Sequence, residues 1–157
     1  MRSLNRTNHL KSMLLKEVMT TDVEVIRPES SVTEAAKKMK SLDVGALPVC
    51  DGRRLLGMVT DRDITVRATA EARDPDQTLV RDCMSAEIIY CFEDQSIQEA
   101  ERLMQEKQIR RLPVLTREKQ LAGIIALGDL AIKTGDLQQV GRTVREVSEP
   151  AAEAESK

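Results

Sequence analysis

The stretch that decides the reading is Gly57-Met-Val-Thr-Asp-Arg-Asp63, because it returns as Gly123-Ile-Ile-Ala-Leu-Gly-Asp129 at an offset of 66 residues. In each copy a glycine and two apolar residues precede an aspartate six places after the glycine. The glycine permits close backbone approach, the apolar pair ends a buried strand, and Thr60 stands where the N-cap of a following helix is expected. The likeness extends outward from this motif. At an offset of 65, Met19, Ser31, Glu34, Ala35, Met39, Leu47, Pro48 and Val49 fall on Met84, Ser96, Glu99, Ala100, Met104, Leu112, Pro113 and Val114. One extra residue in the second copy then brings Leu55 onto Leu121. The chain is therefore one unit written twice. Units of about 50 residues are marginal alone and should bury their apolar faces against each other.

Each unit predicts the order strand, helix, strand, strand, helix. Val23 to Ile26 is a short apolar run ended by Pro28, and Ser31 caps a segment with Val32, Ala35, Ala36 and Met39 at helical spacing. Leu47 to Cys50 and Leu55 to Val59 flank the turn dipeptide Asp51-Gly52, which predicts a hairpin. Thr60 begins a second helix through Ile64, Val66 and Ala68. The second unit repeats this with Ile88 to Cys91, Ser96 to Lys107, Leu112 to Leu115, Leu121 to Ile125 and a helix from about Leu127. The domain limits are 14–70 and 79–135, with a polar linker at 71–78 that contains Arg73-Asp-Pro-Asp-Gln, and a tail at 136–157.

Composition removes several function classes. The 157 residues carry 24 basic and 26 acidic side chains, net charge -2, so no global field favours nucleic acid, and only Tyr90 and Phe92 are aromatic. His9 is the single histidine. Ser-His-Asp, Cys-His and multi-histidine metal chemistry need more. Cys50, Cys83 and Cys91 are odd in number and lack CxxC spacing, as expected of reduced thiols in a cytoplasmic protein. No apolar run is long enough for a signal peptide or a membrane span.

These features resemble the tandem CBS-domain pair, or Bateman module. The residues that carry the likeness are Val18-Met-Thr, Ala46-Leu-Pro-Val-Cys and Gly57-Met-Val-Thr-Asp-Arg-Asp-Ile, then Arg110-Arg-Leu-Pro-Val and Gly123-Ile-Ile-Ala-Leu-Gly-Asp-Leu. The resemblance spans about Leu15 to Lys133. It implies an α/β (α+β) fold of two pseudo-twofold-related units with their sheets packed together, and two clefts that in many relatives bind adenosine ligands. It also implies a homodimer.

Asp63 can accept two hydrogen bonds from a ribose diol, and the amides of a helix start, carrying the positive end of its dipole, suit a phosphate. Thr-x-x-Asp is equally the sequence of a capping box, in which Asp63 stabilises the helix start whether or not anything binds. Ala126 is a poor cap, so a capping box does not account for Asp129, which a simple dipole contact or an N-cap role does. By the resemblance, Asp63, with Thr60, Arg62 and Met58, works with Met84, Ser85, Ile88, Arg111 and Pro113. Asp129, with Ala126, Gly128 and Ile124, works with Met19, Thr20, Val23, Gly45 and Ala46. Arg110 and Arg111 are either a solvated strand edge or a guanidinium pair for phosphate. Thr60 and Arg62 make the Asp63 cleft the better phosphate site.

The expected function is regulatory binding of an adenine nucleotide, AMP, ADP or ATP, without catalysis and without a required cofactor or metal. NAD and S-adenosylmethionine remain open, as does an unidentified client protein. The alternative is a structural dimerisation module with empty clefts. Val32, Ala35, Ala36 and Met39 with Ile97, Ala100 and Met104 offer apolar helix faces for a homodimer. Residues 1–13 are expected to fray, Leu137 to Val147 to form a short helix, and 149–157 to be disordered.

Overall fold

A computed structural model describes residues 13–134 and 137–148. His9, most of the N-terminal segment and the tail from Glu149 lie outside the described residues. The elements are α1 (Leu15–Val18), α2 (Val32–Leu42), β1 (Ala46–Asp51), β2 (Arg54–Thr60), α3 (Asp61–Ile64, continuing as a π-turn over Thr65–Thr69), α4 (Val80–Cys83), β3 (Cys91–Phe92), α5 (Ile97–Lys107), β4 (Arg111–Leu115), β5 (Leu121–Ala126), α6 (Leu127–Thr134) and α7 (Leu137–Ser148). The fold is α+β, with a two-stranded sheet β1-β2 and a three-stranded sheet β3-β4-β5.

The chain forms two compact units that differ from the two sequence copies. The first unit holds Asp22–Tyr90 with Leu115–Leu121. The second holds the described parts of Met1–Thr21, Cys91–Val114 and Ala122–Lys157. Each unit thus takes the helix and hairpin of one copy and the entry segment of the other.

In the first unit β1 and β2 form the expected antiparallel hairpin, with Gly52 at φ 59° in the turn and a bulge between Val49 and Cys50. Ser31 opens α2 with a reciprocal cap: its hydroxyl accepts the Glu34 amide at 3.1 Å and its own amide donates to the Glu34 carboxylate at 3.1 Å. Val32, Ala35 and Met39 then face a core of Leu47, Val49, Val59, Ala68, Val80 and Cys83. Burying a large aliphatic side chain contributes about 1.5–3 kcal/mol, so this cluster carries the unit. The strand expected at Val23 to Ile26 reduces to Ile26, whose amide and carbonyl bond Pro48 and Cys50. Among the described residues only Ile26 of this run finds a backbone ladder partner, and Lys38 takes the Val25 carbonyl at 2.7 Å. Similarly, Cys91–Phe92 is all that becomes strand in the run from Ile88. The polar segment after the π-turn is docked, since Thr78 is buried and its carbonyl accepts the Val32 amide.

The second unit repeats the design. Ser96 and Glu99 form the same reciprocal cap on α5, and Ile97, Ala100 and Met104 are buried, as are Leu112, Val114, Ile125 and Leu130. The helix faces expected to remain free for a partner are therefore already buried in the single chain, except for exposed Ala36. α7 packs on α5 and α6, where Gln105 donates to the Thr143 hydroxyl at 2.9 Å.

One contact is built twice. In the first unit Met58 and Ser85 exchange both backbone hydrogen bonds, at 3.0 and 2.8 Å. In the second, Thr20 and Ile124 do the same, at 2.9 and 2.9 Å. The glycine before each strand partner makes the approach possible: a Cβ on Gly57 would lie 2.5 Å from the Ser85 carbonyl oxygen, and one on Gly123 would lie 2.6 Å from that of Thr20. Gly57→Ala and Gly123→Ala should each lower stability by about 1–3 kcal/mol or more, because backbone must shift. Gly141→Ala, in open space within α7, should instead raise it by about 0.5–1 kcal/mol. Urea unfolding of the three variants checks the contrast.

Candidate functional site

β2 delivers Thr60 to the start of α3, and the sequence then writes its own cap. The Asp63 amide donates to Thr60 Oγ1 at 3.0 Å, and the Thr60 amide donates to Asp63 Oδ2 at 3.0 Å. The capping-box reading of Thr-x-x-Asp is realised in full. The neighbouring amides are engaged as well: Asp61 donates to the Gly45 carbonyl at 2.9 Å and Arg62 to Asp61 Oδ1 at 2.8 Å. This corrects the expectation that the amides of this helix start are free to receive a phosphate. Asp63 nonetheless stays half-buried, and its Oδ1 bonds no protein group among the described residues. A carboxylate fixed by one oxygen and open at the other can still receive a hydroxyl pair.

The wall beside it is the entry segment of the second copy. Met84 lies over Gly57, its Sδ 3.2 Å from where a Cβ would sit, and Ser85 is bonded to Met58. Met58, Thr60, Met84, Ser85 and Ile88 are all half-buried in this unit. Ser85 has both backbone groups engaged, whereas the amides and carbonyls of Ala86 to Ile89 bond no other protein group among the described residues. An edge of open backbone polar groups next to methionine and isoleucine side chains suits a flat heteroaromatic ring without stacking aromatics.

Arg67 was missed from the sequence. Its Nη1 donates to the carbonyls of Cys83 and Met84, both at 2.9 Å, and so pins the wall. The π-turn over Thr65–Thr69 carries it, where the helix was expected to run on regularly. No local signal marks it, because its acceptors lie 16 and 17 residues away.

The second unit holds the companion constellation. Met19 and Thr20 meet Gly123 and Ile124, which lead through Ala126 to Gly128 and the half-buried Asp129 on α6. The Leu127 amide donates to the Arg110 carbonyl at 2.9 Å, matching Asp61 on Gly45. Arg110, Arg111 and Pro113 lie in this unit, and Val23, Gly45 and Ala46 in the other. Arg111 is exposed, and the Arg110 guanidinium donates to the Ser148 hydroxyl of α7 at 2.8 Å.

The family described as the CBS domain matches residues 15–68 and 80–133. The CBS domain-containing protein YhcV of Bacillus subtilis is 42% identical over 134 residues, which covers 85% of this chain and 94% of that protein. The crystal structure of Hypoxic Response Protein I with two coordinated zinc ions is similar at 36% identity and a TM-score of 0.70, over 76% of this chain and 98% of that one. The CBS domain pair of protein MJ0100, in complex with 5′-methylthioadenosine and S-adenosyl-L-methionine, shares the fold at 23% identity and a TM-score of 0.67, over 78% of this chain and 96% of that one.

Among the described residues no three His, Cys, Asp or Glu side chains converge as metal ligands, and no helix is long and apolar enough to cross a membrane. The three cysteines are free and buried. Burial pushes the Cys50 and Cys91 thiols up to about 11 and raises Cys83 in the same direction. At pH 8 a thiol of that kind is about one part in a thousand thiolate. Ellman's reagent should therefore leave Cys50 and Cys91 unmodified in the folded protein while titrating all three cysteines in denaturant. Stability should fall as pH rises from about 9 towards 11, because the unfolded chain loses those protons first.

Proposed function

Because this chain belongs to the CBS-domain family and carries two copies in tandem, we propose that it is a regulatory module that binds an adenosine-containing ligand and does not turn it over. One observation carries this reading. The same juxtaposition, an aspartate six residues after a glycine and the entry segment of the other copy bonded beside that glycine, is built twice. In the first unit Asp63 Oδ1 receives the ribose diol, and Met58, Met84 and Ile88 with the open backbone of Ala86 to Ile89 receive the adenine. Asp129 plays the ribose role in the second. Support for the ligand class comes also from the fold, which holds two adenosine derivatives in the MJ0100 pair. AMP, ADP, ATP and adenosine are the first ligands to test; reduced thiols agree with a cytoplasmic setting.

A thermal-shift panel tests the reading. A ligand at 100 times its Kd should stabilise the fold by about 2.7 kcal/mol. Asp63→Ala or Asp129→Ala should weaken binding in its own cleft by about ten- to a hundredfold, through loss of charge-assisted hydrogen bonds. No shift with any of the four ligands at millimolar concentration, for protein that melts cooperatively, would leave the structural dimerisation module as the better reading.

Assembly into a homodimer is favoured by a different pair of residues from those the sequence suggested. Val66 and Ile132 occupy equivalent positions in the two copies and are 48% and 84% exposed. Large aliphatic side chains repeated at one exposed position fit a self-complementary contact. Light scattering at tens of micromolar should show a dimer that Val66→Asp with Ile132→Asp converts to monomer, and a monomeric wild-type protein removes the proposal.

A further inference from the structure

We propose that the Asp63 cleft selects a nucleoside whose 5′ substituent carries no negative charge over the corresponding 5′-phosphate. The inference rests on the reading of Asp63 as a ribose-binding carboxylate, and it concerns what sits beyond the ribose.

A helix start recruits phosphate through amides that have no other acceptor, aided by the dipole of the helix behind them. Neither condition holds here. The amides of Thr60, Asp61, Arg62 and Asp63 donate, in order, to Asp63 Oδ2, the Gly45 carbonyl, Asp61 Oδ1 and Thr60 Oγ1, at 2.8–3.0 Å. All four consecutive donors are saturated by the protein. α3 is four residues long before the geometry changes to the π-turn, so few peptide dipoles align behind it.

The charges at the same place point the same way. Asp61 and Asp63 both fold back onto this helix start as caps, with Asp61 Oδ2 lying 3.0 Å from where a Cβ on Gly45 would sit. Against these two carboxylates the helix start offers one cation, Arg62, whose side chain is exposed. The next, Arg67, is directed at the Cys83 and Met84 carbonyls. A phosphate placed against this helix start must displace a cap or lie beside two carboxylates, with Arg62 as the one cation that the helix start itself offers in reply. A hydroxyl, a thioether or a sulfonium meets no such opposition. The second copy lacks this arrangement. Leu127 and Gly128 stand at the positions of Asp61 and Arg62, and Asp129 is the sole carboxylate at the start of an eight-residue helix. The device is thus specific to the Asp63 cleft.

Calorimetry on the full chain with Asp129→Ala, which weakens the other cleft by about ten- to a hundredfold, makes the event that a further Asp63→Ala removes the one to read. Adenosine should bind at least about tenfold more tightly than AMP, a gap of about 1.4 kcal/mol. Asp61→Asn keeps a side-chain oxygen for the Arg62 amide and removes the charge, so it should narrow the gap severalfold by improving AMP and leaving adenosine unchanged. Added salt should narrow it in the same sense, because the Asp61 side chain is exposed. AMP binding as tight as adenosine, or a gap that Asp61→Asn does not move, overturns the inference while leaving the ribose role of Asp63 intact. Binding of neither ligand overturns both.

Discussion

The surroundings of both aspartates hang on the doubly hydrogen-bonded contact between a glycine-bearing strand and the entry segment of the other copy. Two backbone bonds at 2.8–3.0 Å fix Ser85 on Met58 and Thr20 on Ile124. Such a contact tolerates no side chain at the position before it, so glycine is obligatory at 57 and 123 for steric reasons rather than for conformational freedom. It also explains why the compact units and the sequence copies differ. An entry segment bonded to the other copy's strand must leave its own, and each unit becomes a composite of both.

At the helix start that follows the first of these strands, the protein's own caps take up the backbone donors. At Thr60 the protein satisfies its own amides with side-chain oxygens, which stabilises the turn by about 1 kcal/mol and removes those donors from any ligand. What remains for recognition is half a carboxylate, a methionine-lined surface and a stretch of open backbone held in place by Arg67. Within this unit that set of groups is rich in acceptors and apolar area, and Arg62 is the exposed cation of the helix start.

The two copies have diverged where their helices meet the rest of the chain. Leu127 and Leu130 are buried in a unit where α7 packs on α5 and α6, while their counterparts Asp61 and Ile64 are exposed and half-buried. α7 also engages Arg110 through Ser148, so a residue that looked like a phosphate ligand has an intramolecular partner.

The repeat, the hairpins, the Ser31 and Ser96 caps and the family were legible in the sequence, because each is written in residues a few places apart. Local spacing was enough to predict the Thr60-Asp63 capping box, but not that the Asp61 and Arg62 amides beside it are engaged as well. That depends on where the Gly45 carbonyl and the Asp61 carboxylate lie, one of which is 16 residues distant. Tertiary structure alone decided which apolar positions were consumed by the cores, leaving Val66 and Ile132 exposed in place of Val32, Ala35 and Met39. It alone assigned Arg67 to the carbonyls of the entry segment. Amphipathic spacing states that a helix has an apolar face, and cannot state what that face meets; a long cation names no acceptor until the fold brings one within about 3 Å.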